Sequence, residues 1–458
     1  MLRQFVRSTQ CRIPPDNGVG FGSWLQFRFQ FGNSLYQQIL KTVFASTCLL
    51  VLTGCEPTAP AKFRLNSVEW LKQERLHNQE FSEEYKTEVG SILTALFGTP
   101  DDPEFPYLLG DEDPAQEIIK LDNLKMAAGP VAKNRLEQTT GLFREHCSHC
   151  HGITGDGAGP TAATLNPYPR DFRLGKFKFK STPLRQPPTD EDLMTTLKNG
   201  IPGSAMPSFR TLPDQQLEAL VDYVKYLTIR GQFERYLLSE LAGLGGKPLI
   251  DLSLIKKSTT GEEPPEADKE EFEDQMYGLI GDGLQDGIIK RWLNPDRKVT
   301  EIPPAPQEFD GNDPGHDQFV KTGRALFYSK GNCVQCHGET GAGDGQAGTY
   351  DDWTNEWYKI AAADPDTYGE FLEAGALPAR PIRPRNLNLP VYSGGDHPND
   401  LYLRLANGIE GTPMPASTAL TSDEIWALVA YVKSLPFSTP GAPDQQPPVN
   451  EKEIARQP

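Results

Sequence analysis

No apolar run approaches the 18 or more residues that a membrane-spanning helix needs, and a mean hydropathy of -0.50 argues against a polytopic membrane protein. Positive charge is also scarce. Lys and Arg number 45 against 62 Asp and Glu, giving a formal charge of -17 and a pI near 5.0, a balance that repels phosphate backbones and argues against nucleic acid as a partner. Sulfur is sparse too, with seven Cys and six Met, so the position of each can be weighed individually. What the chain has in excess is turn formers. With 42 Gly and 40 Pro, short helices joined by long loops are expected, and 458 residues leave room for two or three domains.

The charge is unevenly placed. Residues 1–54 carry Arg3, Arg7, Arg12, Arg28 and Lys41 against Asp16, a net of +4 that leaves -21 for the remainder. Lys41 precedes an apolar run from Thr42 to Leu52, too short to cross a bilayer, which ends in Leu52-Thr53-Gly54-Cys55. This reads as a secretory signal with small residues at the cleavage point. It resembles the bacterial lipoprotein lipobox, which implies export, lipidation of Cys55 as the new N-terminus, and a periplasmic protein anchored to a membrane by its lipid. An apolar helix that merely ends in cysteine is the alternative. The forty residues ahead of Lys41 are long for such a signal, which suggests that Met1 is an upstream start.

Cleavage would remove Cys11 and Cys48 and lipidation would use Cys55. The remaining four cysteines form two pairs, Cys147-Ser148-His149-Cys150-His151 and Cys333-Val334-Gln335-Cys336-His337. A second repeat follows each pair. Asn199-Gly200-Ile201-Pro202-Gly203-Ser204-Ala205-Met206-Pro207 matches Asn407-Gly408-Ile409-Glu410-Gly411-Thr412-Pro413-Met414-Pro415 in a register of 208, and Tyr223-Val224-Lys225 falls on Tyr431-Val432-Lys433 in the same register. The cysteine motifs are only 186 apart, so the second copy holds 22 extra residues between His and Met, among them Trp353, Trp357, Tyr358, Tyr368 and Phe371. This excess could cover the site or form a partner face. Two homologous domains are the economical reading.

Helical spacing supports it. Leu217, Leu220, Val221, Val224 and Leu227 share one face, as do Ile425, Leu428, Val429, Val432 and Leu435. Thr421 and Glu424 predict a capping box for the second of these helices, while the first starts at Pro213. Shorter helical stretches are expected before the cysteine pairs, over 135–146 and 319–332, with Leu142-Phe143 and Leu326-Phe327 as apolar anchors.

Cys-x-x-Cys-His is the attachment signature of c-type haem: two thiols add to the vinyl groups and the imidazole takes the iron. Zinc or thiol redox chemistry is the usual alternative for Cys-x-x-Cys. Zinc needs four ligands, and the histidines outside the motifs, His77, His146, His149, His316 and His397, have no partner at finger spacing. Two covalent haems are therefore expected. Scarcity of methionine then names the opposite ligand. Downstream of His337 only Met414 exists, and in the first copy Met206 matches it, whereas Met194 sits at a helix start where a core role is natural. His/Met ligation raises the potential and leaves iron no open position, which suits electron passage rather than catalysis.

With these motifs the chain resembles the dihaem class I cytochrome c family, over about 135–232 and 316–436. The resemblance implies an all-α fold of two tandem cytochrome c domains with a helical N-terminal extension and Pro-rich linkers. The expected division is a targeting segment (1–54), a tether and small helical region (55–134), the first domain (135–232), an acidic, Pro-rich linker (233–315), the second domain (316–436) and a disordered tail (437–458). A helix over 275–292 is expected within the linker. By family analogy the Pro160 carbonyl orients His151 through its ring N–H. The second copy departs here: after Gly343-Asp344-Gly345 it has no proline, which leaves the partner of His337 open. Arg170 and Arg385 lie in matching Pro-Arg pairs and are either contacts to haem propionates or surface arginines beside a turn; Phe172 and Tyr168 are candidate pocket walls. The function implied is electron relay along a respiratory chain by a carrier rather than an enzyme, docking on redox proteins with basic surfaces. The rivals are a dihaem peroxidase, against which the two Met-Pro loops count, and a fixed subunit of a quinol-oxidising or terminal oxidase complex.

Overall fold

The computed structural model describes residues 61–107, 114–133, 139–245, 247–251, 265–293, 299–345 and 349–438. Cys55 and the tail from residue 439 on lie outside the described residues. The fold is α-helical, as expected. Among the described residues the sheet is reduced to an antiparallel ladder of β1 (Ala132–Lys133) and β2 (Thr139–Thr140), and no helix is long and apolar enough to cross a membrane.

The first half opens with α1 (Ser67–His77) and α2 (Glu83–Phe97), capped by the side chains of Asn66 and Ser82. A short α3 (Leu121–Ala127) follows, then α4 (Leu142–His146), α5 (Ser148–His151), α6 (Asp190–Asn199) and α7 (Asp214–Gly243). Among the described residues of the stretch predicted over 135–146, only α4 is helical, and Thr139 and Thr140 pair with β1 instead. Helix α7 has 30 residues, about 45 Å at 1.5 Å per residue, and runs well past the expected domain end at 232. The predicted face of Leu217, Leu220, Val221, Val224 and Leu227 is buried, but so are Ala219, Tyr223, Tyr226, Ile229 and Phe233 on its other sides. Covering them are α1 and α2, through Val89, Ile92, Leu93 and Phe97, and α8 (Glu266–Tyr277), which continues as a π-helical stretch, Gly278–Ile289, and ends in α9 (Lys290–Leu293). Leu284, Ile288, Ile289 and Trp292 of this stretch join the same core. The segment read as a linker is therefore in part a wall of the first half.

Polar ties fix this arrangement. Buried Glu234 accepts from the Asn66 N–H at 2.6 Å, and buried Asp222 accepts from Asn123 Nδ2 at 2.7 Å and pairs with Lys225 at 2.8 Å. Each satisfies groups whose burial would otherwise cost about 1–3 kcal/mol.

The second half contains α10 (His316–Tyr328), α11 (Val334–His337), α12 (Asp352–Ala361), α13 (Pro365–Glu373), α14 (Pro398–Asn407) and α15 (Ser422–Ser434). The predicted Thr421/Glu424 capping box is present. Helix α10 crosses α15 at Gly323, where a Cβ would sit 2.0 Å from the Ala427 carbonyl oxygen, so only glycine allows this approach. The Pro-rich strap before α10 is tied down: the Trp426 indole N–H donates to the Pro303 carbonyl at 3.1 Å.

The extra residues of the second copy form the α12–α13 hairpin. Trp357, Ala361 and Phe371 pack on Val68 and Leu71 of α1. Glu356 beneath them binds Lys72 at 3.1 Å, Arg235 at 2.8 Å and Lys176 at 3.3 Å. The insertion thus grips the first half, and it also touches its own domain's methionine loop, where the Asp352 N–H donates to the Gly411 carbonyl at 3.2 Å.

Candidate haem-binding sites

Each site starts from one helical turn. Cys147 precedes α5, and the Cys150 and His151 N–H groups donate to its carbonyl at 3.2 and 2.9 Å; Cys336 and His337 do the same to Cys333 at 3.2 and 2.9 Å. Positions i, i+3 and i+4 of one turn share a face, so two thiols and an imidazole face the same way in both copies. None of the four cysteines is in a disulfide. Burial, with the neighbouring cysteine, pushes the Cys147 thiol up to about 12, and burial pushes Cys333 up to about 11. Protonated, apolar thiols of this kind are unlike the lowered thiols of redox motifs. Among the described residues no group of three or more His, Cys, Asp or Glu is arranged to hold a metal ion.

The imidazoles are oriented from behind. His151 Nδ1 donates to the Arg170 carbonyl at 3.0 Å, and His337 Nδ1 to the Arg385 carbonyl at 3.0 Å. That tautomer leaves the Nε2 lone pair for a metal. Burial lowers both imidazole pKa values, partly opposed by these hydrogen bonds, and so favours the neutral form that ligates. The acceptor expected from family analogy, Pro160, is corrected: it lies exposed in the turn beyond. The Gly157 N–H donates to the His151 carbonyl at 3.0 Å and the Phe172 N–H to Gly155 at 2.8 Å, which folds the Pro-Arg segment back behind the imidazole. Gly343 and Leu387 make the same bonds to His337 and Gly341 at 2.8 and 2.7 Å. The absence of a proline in the second copy is thereby explained, since the proline is not what orients the ring. The Pro-Arg pair shared by both copies was the available signal.

The methionine loops repeat in detail. Ile201 donates to the Met206 carbonyl at 3.1 Å and Ile409 to that of Met414 at 3.1 Å; the Met206 N–H reaches Ser204 Oγ at 3.2 Å and the Met414 N–H reaches Thr412 Oγ1 at 3.2 Å. Gly200 and Gly408, at φ +66° and +71°, close the loops where a Cβ would lie 2.7 Å from the methionine carbonyl oxygen. Met194 is part of α6 and packs on the core, consistent with the role given to it.

Of the candidate pocket walls, Phe172 stacks on His151, with ring centroids 4.6 Å apart and 16° between planes. Tyr168 points elsewhere: its hydroxyl donates to the Pro378 carbonyl at 3.1 Å and Arg380 lies over its ring. The two arginines are half-buried rather than exposed. Arg170 Nη1 and Arg385 Nε are buried without a hydrogen-bond partner. Burial draws the Arg170 guanidinium down to about 10 despite the nearby carboxylates of Asp351, Asp171, Glu410 and Asp352. Lys178, half-buried beside Arg170, is drawn down to about 8 by desolvation and by that neighbouring charge. Both cations lie over the Trp353 ring, at 4.2 and 5.3 Å from its centroid. The donor set of thiols, imidazole and thioether, with orphaned cations at its margin, fits an iron porphyrin that carries carboxylates.

Comparison with known proteins agrees with this geometry. Residues 320–436 match the family model for cytochrome c, and residues 134–224 match the model described as cytochrome c oxidase, cbb3-type, subunit III. The fold and sites therefore define a haem-binding electron-transfer protein. More particularly, the chain carries two cytochrome c domains in tandem, the arrangement of a dihaem class I cytochrome c. A solved structure of the Kuenenia stuttgartiensis reducing HAO-like protein complex is similar at 24% identity, covering 64% of this chain and 94% of that one, with a TM-score of 0.41. No curated protein matches the chain.

Proposed function

We propose that the protein is an exported, lipid-anchored dihaem cytochrome that relays electrons in a respiratory chain without itself transforming a substrate. The observation that carries this reading is the repetition, bond for bond, of a His turn and a Met loop in both domains. Haem, when bound, supplies a one-electron iron couple. Cys147 and Cys150 would tether one such group and Cys333 and Cys336 the other, as thioethers. His151 with Met206, and His337 with Met414, would supply the protein's ligands to the iron, a fully ligated state that would favour electron exchange over binding of a small reactant. Cys55 would carry the lipid, and a lipoprotein's several acyl chains would hold it stably on a periplasmic membrane face.

Haem staining of a denaturing gel tests the attachment: the expected result is two covalent haems per chain, and none or a single one overturns the reading. In absorption spectra, Met206→Ala and Met414→Ala should each remove about half of the thioether–iron band. A band at full strength would discard that ligand. For Cys55→Ala, the expected outcome is movement from the membrane to the soluble fraction. The acidic surface should favour partners with basic patches, and electron transfer to such a partner should slow as salt is raised. A second reading, a fixed haem subunit of a terminal oxidase complex, is favoured by the match of the first domain to the subunit III model. Co-purification in mild detergent with larger membrane subunits would select it over a free carrier.

A further inference from the structure

The two Pro-Arg segments reach across the junction between the domains. A Cβ placed on Gly411 would lie 3.6 Å from Arg170 Nη1, and one on Gly203 would lie 3.2 Å from both Arg385 Nη1 and Nη2. These glycines hold the same place in the two loops, three residues before Met414 and Met206. Each arginine therefore offers its backbone carbonyl to the histidine of its own domain and its guanidinium to the methionine loop of the other.

The carboxylates nearest Arg170 are each engaged by another group. Asp171 is clasped by Arg173 at 2.8 Å, Glu410 pairs with Lys180 at 3.0 Å, Asp352 pairs with Lys176 at 3.1 Å, and Asp351 caps α12 by accepting the Thr354 N–H at 2.9 Å. Arg170 Nη1 and Arg385 Nε are left buried with no acceptor. Buried charges are normally paired, and planar guanidinium is suited to carboxylate.

Resting on the haem reading above, we propose that the two sites exchange arginines: Arg170, with Lys178 beside it, faces the haem carboxylates of the His337/Met414 site, and Arg385 faces those of the His151/Met206 site. A cation beside a haem favours its reduced, less positive form, so each domain sets the potential of the other's haem. Docking of the domains and tuning of the irons become one event.

The test follows the thioether–iron band during redox titration of the full-length holoprotein. In a Met206→Ala background only the Met414 site contributes the band, and there Arg170→Gln should lower the reduction equilibrium constant about tenfold, or ~59 mV for one electron, while Arg385→Gln leaves it in place. A Met414→Ala background should reverse the pattern. Arg170→Lys, which keeps the charge, should restore most of the shift and separates charge from misfolding. If each arginine moves the band of its own domain, or neither moves a band while two haems remain bound, the exchange is overturned. A chain with fewer than two haems, or with no band in either background, would instead overturn the haem reading itself.

Discussion

Gly200 and Gly408 show how much one residue contributes to a methionine loop. Each adopts a positive φ and sits against the carbonyl of the methionine it presents. Gly408→Ala should cost about 1–3 kcal/mol in backbone strain and weaken the Met414 thioether–iron band; a thermal melt followed at that band checks both, and an unchanged melt would contradict the geometry. The register of 208 made this loop and its methionine legible, because the hydrogen bonds that close it around the methionine, from Ile201 and Ser204 in one copy and Ile409 and Thr412 in the other, lie within a few residues. The carbonyl behind each histidine was not legible. Its distance in sequence is 19 residues in one copy and 48 in the other, so no spacing rule connects them, and the analogy with Pro160 settled on a residue that merely comes earlier in the turn.

The apolar stripes of both long domain helices were legible, but not how fully each helix is enclosed. In α15 Ile425, Leu428, Val429 and Val432 are buried as expected, with Leu435 just beyond its end, but Trp426, Ala427, Ala430 and Tyr431 on its other sides are buried too. In α7 the same pattern is present, and that helix is likewise enclosed on nearly every side. Aromatics and short polar networks supply the remaining contacts, and hydrophobic periodicity does not register them. The crossing of α10 and α15 depends on Gly323. Gly323→Ala would force a methyl group against the Ala427 carbonyl and should destabilise the second domain by about 1–3 kcal/mol, while the Met206 band of the first domain is retained. Domain-resolved melting followed at the Met206 band in a Met414→Ala background, and at the Met414 band in a Met206→Ala background, distinguishes this from a global loss.

At the scale of the molecule, the α12–α13 hairpin holds the halves in register through Glu356. Burial alone would raise the pKa of this carboxyl, but the charges of Arg235, Lys72 and Lys176 outweigh it and hold the group at about 2. A depressed carboxyl pKa gives stability that is fully present above its unfolded value and is lost as pH falls through the folded one. Melting temperature should accordingly decline from about pH 4.5 toward pH 2. Glu356→Gln should remove that part of the decline and cost about 2 kcal/mol at neutral pH, allowing for partial exposure to solvent.

The linear sequence determined the two Cys-x-x-Cys-His motifs, the two methionine loops and the α-helical class, because each depends on residues within one turn, one loop or one helical period. Only the tertiary structure decided which carbonyls hold the imidazoles, which half the hairpin grips and which site each arginine faces. Those distances join residues far apart in the chain, and packing of the whole core, not local preference, brings them together.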